Sequence, residues 1–560
     1  MGLNIKWGKV DVNAKNNSSP TMSDKQSFSN PTLLKQDIEN IETVDYATVG
    51  ELNQTILDNS QQVMVDSPSP NNIVLWSKSL SDSGGYFENN PKLVIEFSDV
   101  VTSSGITLYF WEHNNEYCRE VLLKWYDVSN VLLSSKRFYP DSWEYVCSNY
   151  VEQYRKVDIE FVRTTLPKRF TKMSGIDYGE KVKLTNKNIV SANLLEEVGL
   201  TSSQLFTNQL TCDIIILTNN FNIITNPDMY RGLQINQSLE VASDSENYGT
   251  YYIQKAVING NIIDVTANDL IGYLEGCEFK GGLYENVTFE FILNQIKAQA
   301  NLSVLFDNQH SGFEVPTTIM NKVLSGYIPY TNCREALHQL CYAANVLANC
   351  KRGEKIVIFE LPTTSQDIID NSKLIMDSLT VEDNEFYSKV SLNAFSYKLV
   401  NEIKELENKE YEAGEHIVKF TSPHKDYTIT GGTILESGWN YVKFSVTTTG
   451  NVVIKGYSYD EVIQQFESIN DSYTGNVPVV KELTDVKMVS PLNAQSVADA
   501  QLSLYKFKYK MSAGVWNINA NIGDKIIIEN GIGNIQQMNT DILAEDICDV
   551  EVMAIANSNN

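Results

Sequence analysis

Histidine is scarce in this 560-residue chain: His113, His310, His338, His416 and His424 are all it has. So few imidazoles leave little for histidine-based acid–base chemistry to draw on. The motifs that announce other chemistries are missing too. There is no G-x-x-x-x-G-K-[ST] phosphate loop, no G-x-G-x-x-G after a strand, no H-E-x-x-H, no G-x-S-x-G and no EF-hand loop. With 70 acidic residues, carboxylate pairs arise by chance, so a glycosidase pair cannot be read from sequence. The expectation is a protein that is not an enzyme, with no catalytic residue and no cofactor.

Cysteine is thinly spread, with eight at positions 118, 147, 212, 277, 333, 341, 350 and 548. Such spacing is not the disulfide framework of a small secreted scaffold, and buried thiols are expected. One group has the residue types of a metal site: Cys333, His338, Cys341 and Cys350. His338 and Cys341 are three apart on an expected helix and could share a face. Zinc sites usually contain a C-x₂₋₄-C knuckle, and none is present. Cys341 also falls in an apolar stripe, where a thiol packs as a small hydrophobe. Core packing without metal is the expectation.

Long apolar runs are absent, and no stretch approaches the roughly 20 residues needed to cross a bilayer. The opening Met1-Gly2-Leu3-Asn4-Ile5-Lys6-Trp7 lacks the apolar core of a signal peptide. Lys6 stands where N-myristoylation requires Ser or Thr. Synthesis in the cytoplasm without a cleaved signal is expected, with no membrane span. Basic residues are in deficit, 44 against 70 acidic, giving a net charge of -26. That charge repels a phosphate backbone, so no nucleic-acid partner is expected. No run of five like charges occurs, so the charge is spread over folded surfaces.

What the chain does contain favours strands. Hydrophobic residues make up 42%, aromatics 10%, and there are 29 Tyr and 21 Phe, enough for several cores. The length calls for roughly three to five domains. The reading is a mainly β, multidomain chain. Residues 1–71 form an N-terminal arm and linker, with loop chemistry at Asn16–Pro20 and Ser27–Pro31, a short polar helix at Leu33–Ile41, and a boundary at Ser67-Pro68-Ser69-Pro70. Residues 72–172 carry strand runs at 92–97, 106–111, 121–126 and 157–162, separated by polar turns, and read as a β-sandwich of jelly-roll type able to fold alone. Residues 173–285 read as a compact β-barrel.

Residues 286–385 read as an α+β insertion with two amphipathic helices. In the first, Phe289, Ile292, Leu293, Ile296 and Ala300 form one apolar stripe after a Thr288 cap. In the second, Ala336, Leu337, Leu340, Cys341, Ala344 and Leu347 share a face; Asn332 and Glu335 make a capping-box-like start and Gly353 an end. Residues 386–490 return to strands, with Gly431, Gly432 and Gly438 at turns. Residues 491–560 supply a closing helix bearing Ala494, Val497, Ala498, Leu502 and Tyr505 on one face. Strands around 516–519 and 525–528 follow, about a turn at Gly523-Asp524.

The sandwich is rich in aromatics, which can stack on sugar rings or fill a core. In the run 106–111, Ile106, Leu108 and Phe110 share one face and Tyr109 and Trp111 the other. Trp111, Tyr109 and Trp143 are the candidate glycan contacts, and Trp125 is assigned to the core.

Several segments resemble tail proteins of phages and prophages of Gram-positive bacteria. Gly105–Phe110, Lys124–Asp127 and Lys156–Phe161 are similar to a small sandwich of that group. Val190–Leu194, Asp269–Gly272, Ser325–Pro329 and Cys333–Leu337 look like further segments of it. Asn493–Ala498, before Gly523-Asp524-Lys525-Ile526, resembles the end of tail hub proteins. The likeness covers roughly residues 75–555 and lies in the order of the segments. It implies hub-like β-barrel domains and a baseplate or tail-tip component of a virion or phage-like particle, synthesised in the host bacterial cytoplasm. It further implies a symmetric homo-oligomer around the tail axis, with other tail or baseplate proteins as partners. The barrels would make the assembly contacts, with the sandwich projecting as an accessory module. Many hub-type proteins carry a cell-wall hydrolase, and no such signature is present here. A receptor- or glycan-binding role in the same particle, and hydrolysis of wall polymer, stay open as alternatives.

Overall fold

The computed structural model describes residues 3–10, 12–35, 46–48, 62–64, 74–111, 116–201, 204–215, 236–243, 246–302, 312–516, 518–543 and 547–556. The chain is mainly β and multidomain, and its first residues already belong to two of its cores. Strand β1 (Asn4–Val10), helix α1 (Val12–Asn17) and strand β2 (Ser18–Met22) follow one another without a long loop. Pro31–Lys35 forms a 3₁₀ turn. The rest of the expected helix 33–41 lies outside the described residues. A short pair, β3 (Tyr46–Thr48) and β4 (Gln62–Met64), completes the segment.

The sandwich comprises β5 (Leu75–Trp76), β6 (Lys92–Phe110), β7 (Cys118–Tyr126), β8 (Leu132–Phe138), β9 (Glu144–Thr164) and the first half of β10 (Lys172–Thr185). Alternation drives these strands: on β7, Cys118, Val121, Leu123 and Trp125 are buried while the residues between them are less so. The expected runs 92–97 and 106–111 are the two ends of one strand. Irregular register between Glu96 and Gly105 bends β6 where it runs against β9, and the pairing resumes beyond it to Tyr109. Strand β2 pairs with the first end of β6, at Leu93–Phe97. On the second end, β10 pairs with Ile106–Phe110. Ala14, Met22, Leu33, Leu34, Met173, Ile176 and Tyr178 are all buried in the sandwich core. That core therefore draws on residues before 72 and after 172, and the division at 172–173 falls inside its sheet.

At Gly179, whose φ of 140° favours glycine, β10 leaves the sandwich. Its second half pairs with β1 over Gly179–Thr185, and β1 pairs on its other side with β13 (Ser238–Ala242). The curled sheet is completed by β11 (Ile189–Glu197), β12 (Gln209–Ile215), β14 (Asn247–Asn259) and β15 (Ile262–Asn268). Trp7, Leu194, Leu210 and Tyr251 lie in its core. A one-turn helix, α2 (Leu270–Tyr273), leads out.

The α+β unit contains β16 (Glu278–Phe279), β17 (Gly282–Thr288), α3 (Phe289–Ala300), β18 (Phe313–Glu314), α4 (Thr317–Met320), β19 (Val323–Ile328), β20 (Thr331–Asn332), α5 (Cys333–Ala343), β21 (Leu347–Asn349) and β22 (Ile356–Phe359). The Thr288 hydroxyl accepts from Phe291 N–H at 3.2 Å, and the Asn332 side chain accepts from Glu335 N–H at 2.8 Å. Helix α5 is shorter than its stripe suggests. It stops at Ala343 because Asn345 takes the left-handed conformation (φ 56°), Val346 N–H bonds to Cys341 C=O and Asn345 N–H to Tyr342 C=O. This is a Schellman end built on asparagine. Leu347 consequently begins a strand paired with β22 and does not continue the helix.

Two strands, β23 (Ser365–Ile369) and β24 (Thr380–Asp383), precede a long hairpin of β25 (Lys389–Tyr411) and β30 (Gly450–Ile469). Between its arms lie β26 (Gly414–Lys419), β27 (His424–Thr430), β28 (Thr433–Ser437) and β29 (Tyr441–Val446), closing over Val442, Phe444, Val452 and Ile454. The base of the hairpin belongs elsewhere: Leu392, Ala394, Met488 and Val489 share the core of the α+β unit. Strand β31 (Val480–Leu483) then pairs in parallel with β25.

Helix α6 (Ala494–Leu504) precedes β32 (Tyr509–Trp516), β33 (Lys525–Ile528), β34 (Gly531–Asp541) and β35 (Ile547–Ala556). The strand expected around 516–519 is shifted earlier: it ends at Trp516. Strand β34 pairs with β11, joining the closing sheet to the curled sheet.

Candidate functional site

The three aromatics singled out from sequence lie in different surroundings. Trp143, in the loop before β9, is 38% exposed, and its ring lies 6.3 Å from that of Tyr109. Tyr139 stands exposed in the same loop. Tyr109 is half-buried behind them. Its hydroxyl donates to Asp177 Oδ2 at 2.9 Å, and Lys15 Nζ reaches Asp177 Oδ1 at 2.7 Å. Burial, then the carboxylates of Asp177 and Glu144, hold the Tyr109 phenol well above the ordinary range, so it stays protonated.

Trp111 is only 2% exposed, which corrects its assignment as a surface contact. The alternation along β6 is as expected, but this second face is covered. Lys172 Nζ sits 4.6 Å from the Trp111 ring and 4.7 Å from the Trp76 ring. Its charge meets Glu116 Oε2 at 2.5 Å, and Glu116 Oε1 accepts from Arg169 Nε at 2.9 Å. Trp125 is fully buried, as assigned. The exposed aromatics of this loop are thus Tyr139 and Trp143, with the Tyr109 ring beside that of Trp143. An exposed indole with a phenol beside it offers a stacking face for a flat apolar ligand surface such as a sugar ring.

The cysteine–histidine group is held by separate partners. Cys333 Sγ faces the carbonyls of Glu278 and Ile296 at 3.7 and 3.9 Å. Cys341 is packed among apolar side chains. The Cys350 thiol lies against the Asp269 carboxylate, and burial pushes that thiol up. The His338 ring lies 5.8 Å from Tyr342, and burial together with Arg334 lowers its pKa to about 4. Among the described residues no three such side chains converge as a metal site.

A polar cluster at the junction of the curled sheet and the α+β unit escaped the sequence reading. Arg352 donates from Nε and Nη2 to Glu196 Oε2 at 2.9 and 2.7 Å and also pairs with Glu246. The amides of Asn208 and Asn349 exchange hydrogen bonds of 3.1 and 2.9 Å. Asp269 accepts from the N–H groups of Asn208, Ile271 and Gly272, while burial raises its pKa to about 6. These residues are scattered from 196 to 352, so no spacing pattern could reveal them. Only Asp269, as a cap before α2, carried a local signal.

Compared with known protein families the chain matches none, and it matches no curated protein sequence. Among solved structures it is similar to the 43 kDa tail protein of prophage MuSo2 from Shewanella oneidensis. That match has a TM-score of 0.40 and 10% identity and covers 67% of this chain and 95% of the other. It is similar to a tail protein from Neisseria meningitidis MC58 at TM-score 0.40 and 10% identity, over 67% and 93% of the two chains. It is also similar to the prophage tail protein gp18 from Listeria monocytogenes EGD-e, at TM-score 0.40 and 10% identity, over 68% and 92%.

Proposed function

We propose that this chain is a structural component of the tail of a phage or phage-like particle, of hub type at the baseplate or tail tip. In this reading it assembles as a symmetric homo-oligomer with other tail proteins and is not an enzyme. The observation that carries the reading is the ordered series of hub-like segments and where they fall. Gly105–Phe110 lies in β6, Lys156–Phe161 in β9 and Val190–Leu194 in β11. Asp269–Gly272 caps and begins α2, Cys333–Leu337 opens α5, and Asn493–Ala498 opens α6. Every one of these positions pairs or packs one element on another, as a scaffold requires.

The test is genetic and particulate. Loss of the gene in a producing strain is expected to leave particles without complete tails, restored by the gene in trans, with the protein present in purified tails. Complete tails lacking the protein would refute the reading, and release of reducing ends from cell wall by the purified chain would refute its non-enzymatic part.

Exposed Trp143 and Tyr139 favour one second reading, glycan binding by the sandwich. Binding of host wall polysaccharide that Trp143→Ala abolishes supports it. Binding unaffected by that change, or none at all, removes it.

A further inference from the structure

We propose that residues 403–457 form a hinged arm that swings off the α+β unit as one body, turning at a bulged neck and held closed by a salt-sensitive latch. The arm comprises the far halves of β25 and β30 with β26, β27, β28 and β29 between them. It has a core of its own, in which Val442, Phe444, Val452 and Ile454 are fully buried and Tyr411, Phe420 and Ile434 pack around them. Among the described residues none of the arm enters the core of the α+β unit, and none of that unit enters the core of the arm. The base of the same hairpin does the opposite, with Leu392 and Ala394 in the α+β core. Apolar burial therefore fixes the base and leaves other forces to hold the arm.

The neck between base and arm is built from irregular backbone. Between the pairs Leu399–Tyr459 and Ile403–Tyr457, residues 400–402 of β25 lie opposite Ser458 alone. At the next level Asp426 and Tyr427 of β27 lie opposite Gly456, and Asp426 takes a left-handed φ of 54°. Extra residues interrupt the ladder and leave a strand able to bend. Asn401, Glu402, Ile403 and Lys404 are all exposed, so this stretch of β25 turns in solvent.

Charge and aromatic contact close the arm. Lys419 of the arm lies 3.8 Å from the Tyr330 ring and 3.4 Å from Glu278. Glu436 of the arm meets Lys280 Nζ at 2.5 Å, and the Tyr330 and Tyr441 rings meet edge to face at 5.5 Å. The Asn440 amide donates to the Tyr327 hydroxyl at 2.9 Å. Gly281 makes room for that amide: at its φ of 75°, a Cβ would lie 2.6 Å from Asn440 Nδ2. The four charged side chains are 43–69% exposed, so dissolved salt screens both pairs. Opening the latch uncovers the Tyr441 ring, which is 4% exposed when it is closed.

The test is hydroxyl-radical footprinting of the full-length chain, read by mass spectrometry. Lys280→Glu combined with Lys419→Glu sets like charges against Glu436 and Glu278. Tyr441 should then react at least roughly threefold faster than in wild type. Wild type moved from low salt to about 1 M sodium chloride should change in the same direction. Phe444, in the core of the arm, should stay as protected as before under both treatments. Circular dichroism melts check folding, and wild type at high salt decides if the variant unfolds. Tyr441 no more reactive under either treatment overturns the proposal. So does Phe444 becoming reactive along with Tyr441 in otherwise folded protein, since the arm would then be melting and not turning.

Discussion

At the scale of single residues, exposure separates tryptophans that the sequence presents alike. Trp7 is buried in the curled-sheet core beside Tyr251 and Leu210. Trp7→Ala is expected to cost about 3–5 kcal/mol in urea unfolding, whereas Trp143→Ala should stay within about 0.5 kcal/mol. Equal losses at both positions would contradict the burial described. His338 supplies a pH test. Its folded pKa is about 4, below the ordinary 6.5 of a histidine, because burial and Arg334 disfavour the cation. The unfolded chain therefore binds more protons between those values, so stability contributed by neutral His338 is present above pH 6.5. It is lost as pH falls toward 4, by an amount on the order of 3 kcal/mol. His338→Leu should flatten that limb in chemical denaturation across the same pH range.

At the scale of elements, helix starts were legible and helix ends were not. Thr288 and Asn332 cap α3 and α5 through hydrogen bonds that their sequence positions announced. Thr288→Ala and Asn332→Ala should each lower stability by ~1 kcal/mol, measured by denaturation of the whole chain; no change in either would mean the cap is redundant. The end of α5 was missed because Asn345 is a weaker stop signal than the glycine at 353, and apolar spacing continued to Leu347. Strand β6 shows a related limit. Its two apolar runs were visible, but the bent stretch between them resembles a turn until β9 is seen paired along it. The aromatic face ending in Trp111 repeats the lesson, since period two assigns a side and says nothing of what covers it.

At the scale of the whole molecule, units share strands. β10 serves the sandwich up to Tyr178 and the curled sheet beyond it, and the segment β1–α1–β2 stitches the same two units from the other side. A fragment of 72–172 lacks β2, the 3₁₀ turn and the β10 edge, and should show no cooperative melt. A fragment of 12–178 restores them and should melt as one transition. A sharp transition from the shorter fragment would show that these additions are dispensable. By itself the sequence determined the β-rich class and the two amphipathic helices with their caps. These follow from alternation, helical period and capping chemistry, all written within a few neighbouring residues. Tertiary structure alone decided that residues 4–10 pair with 179–185 and that Lys172 fills the space between Trp76 and Trp111. Each of these joins residues far apart in the chain, where register is set by which cores close together and not by any local period.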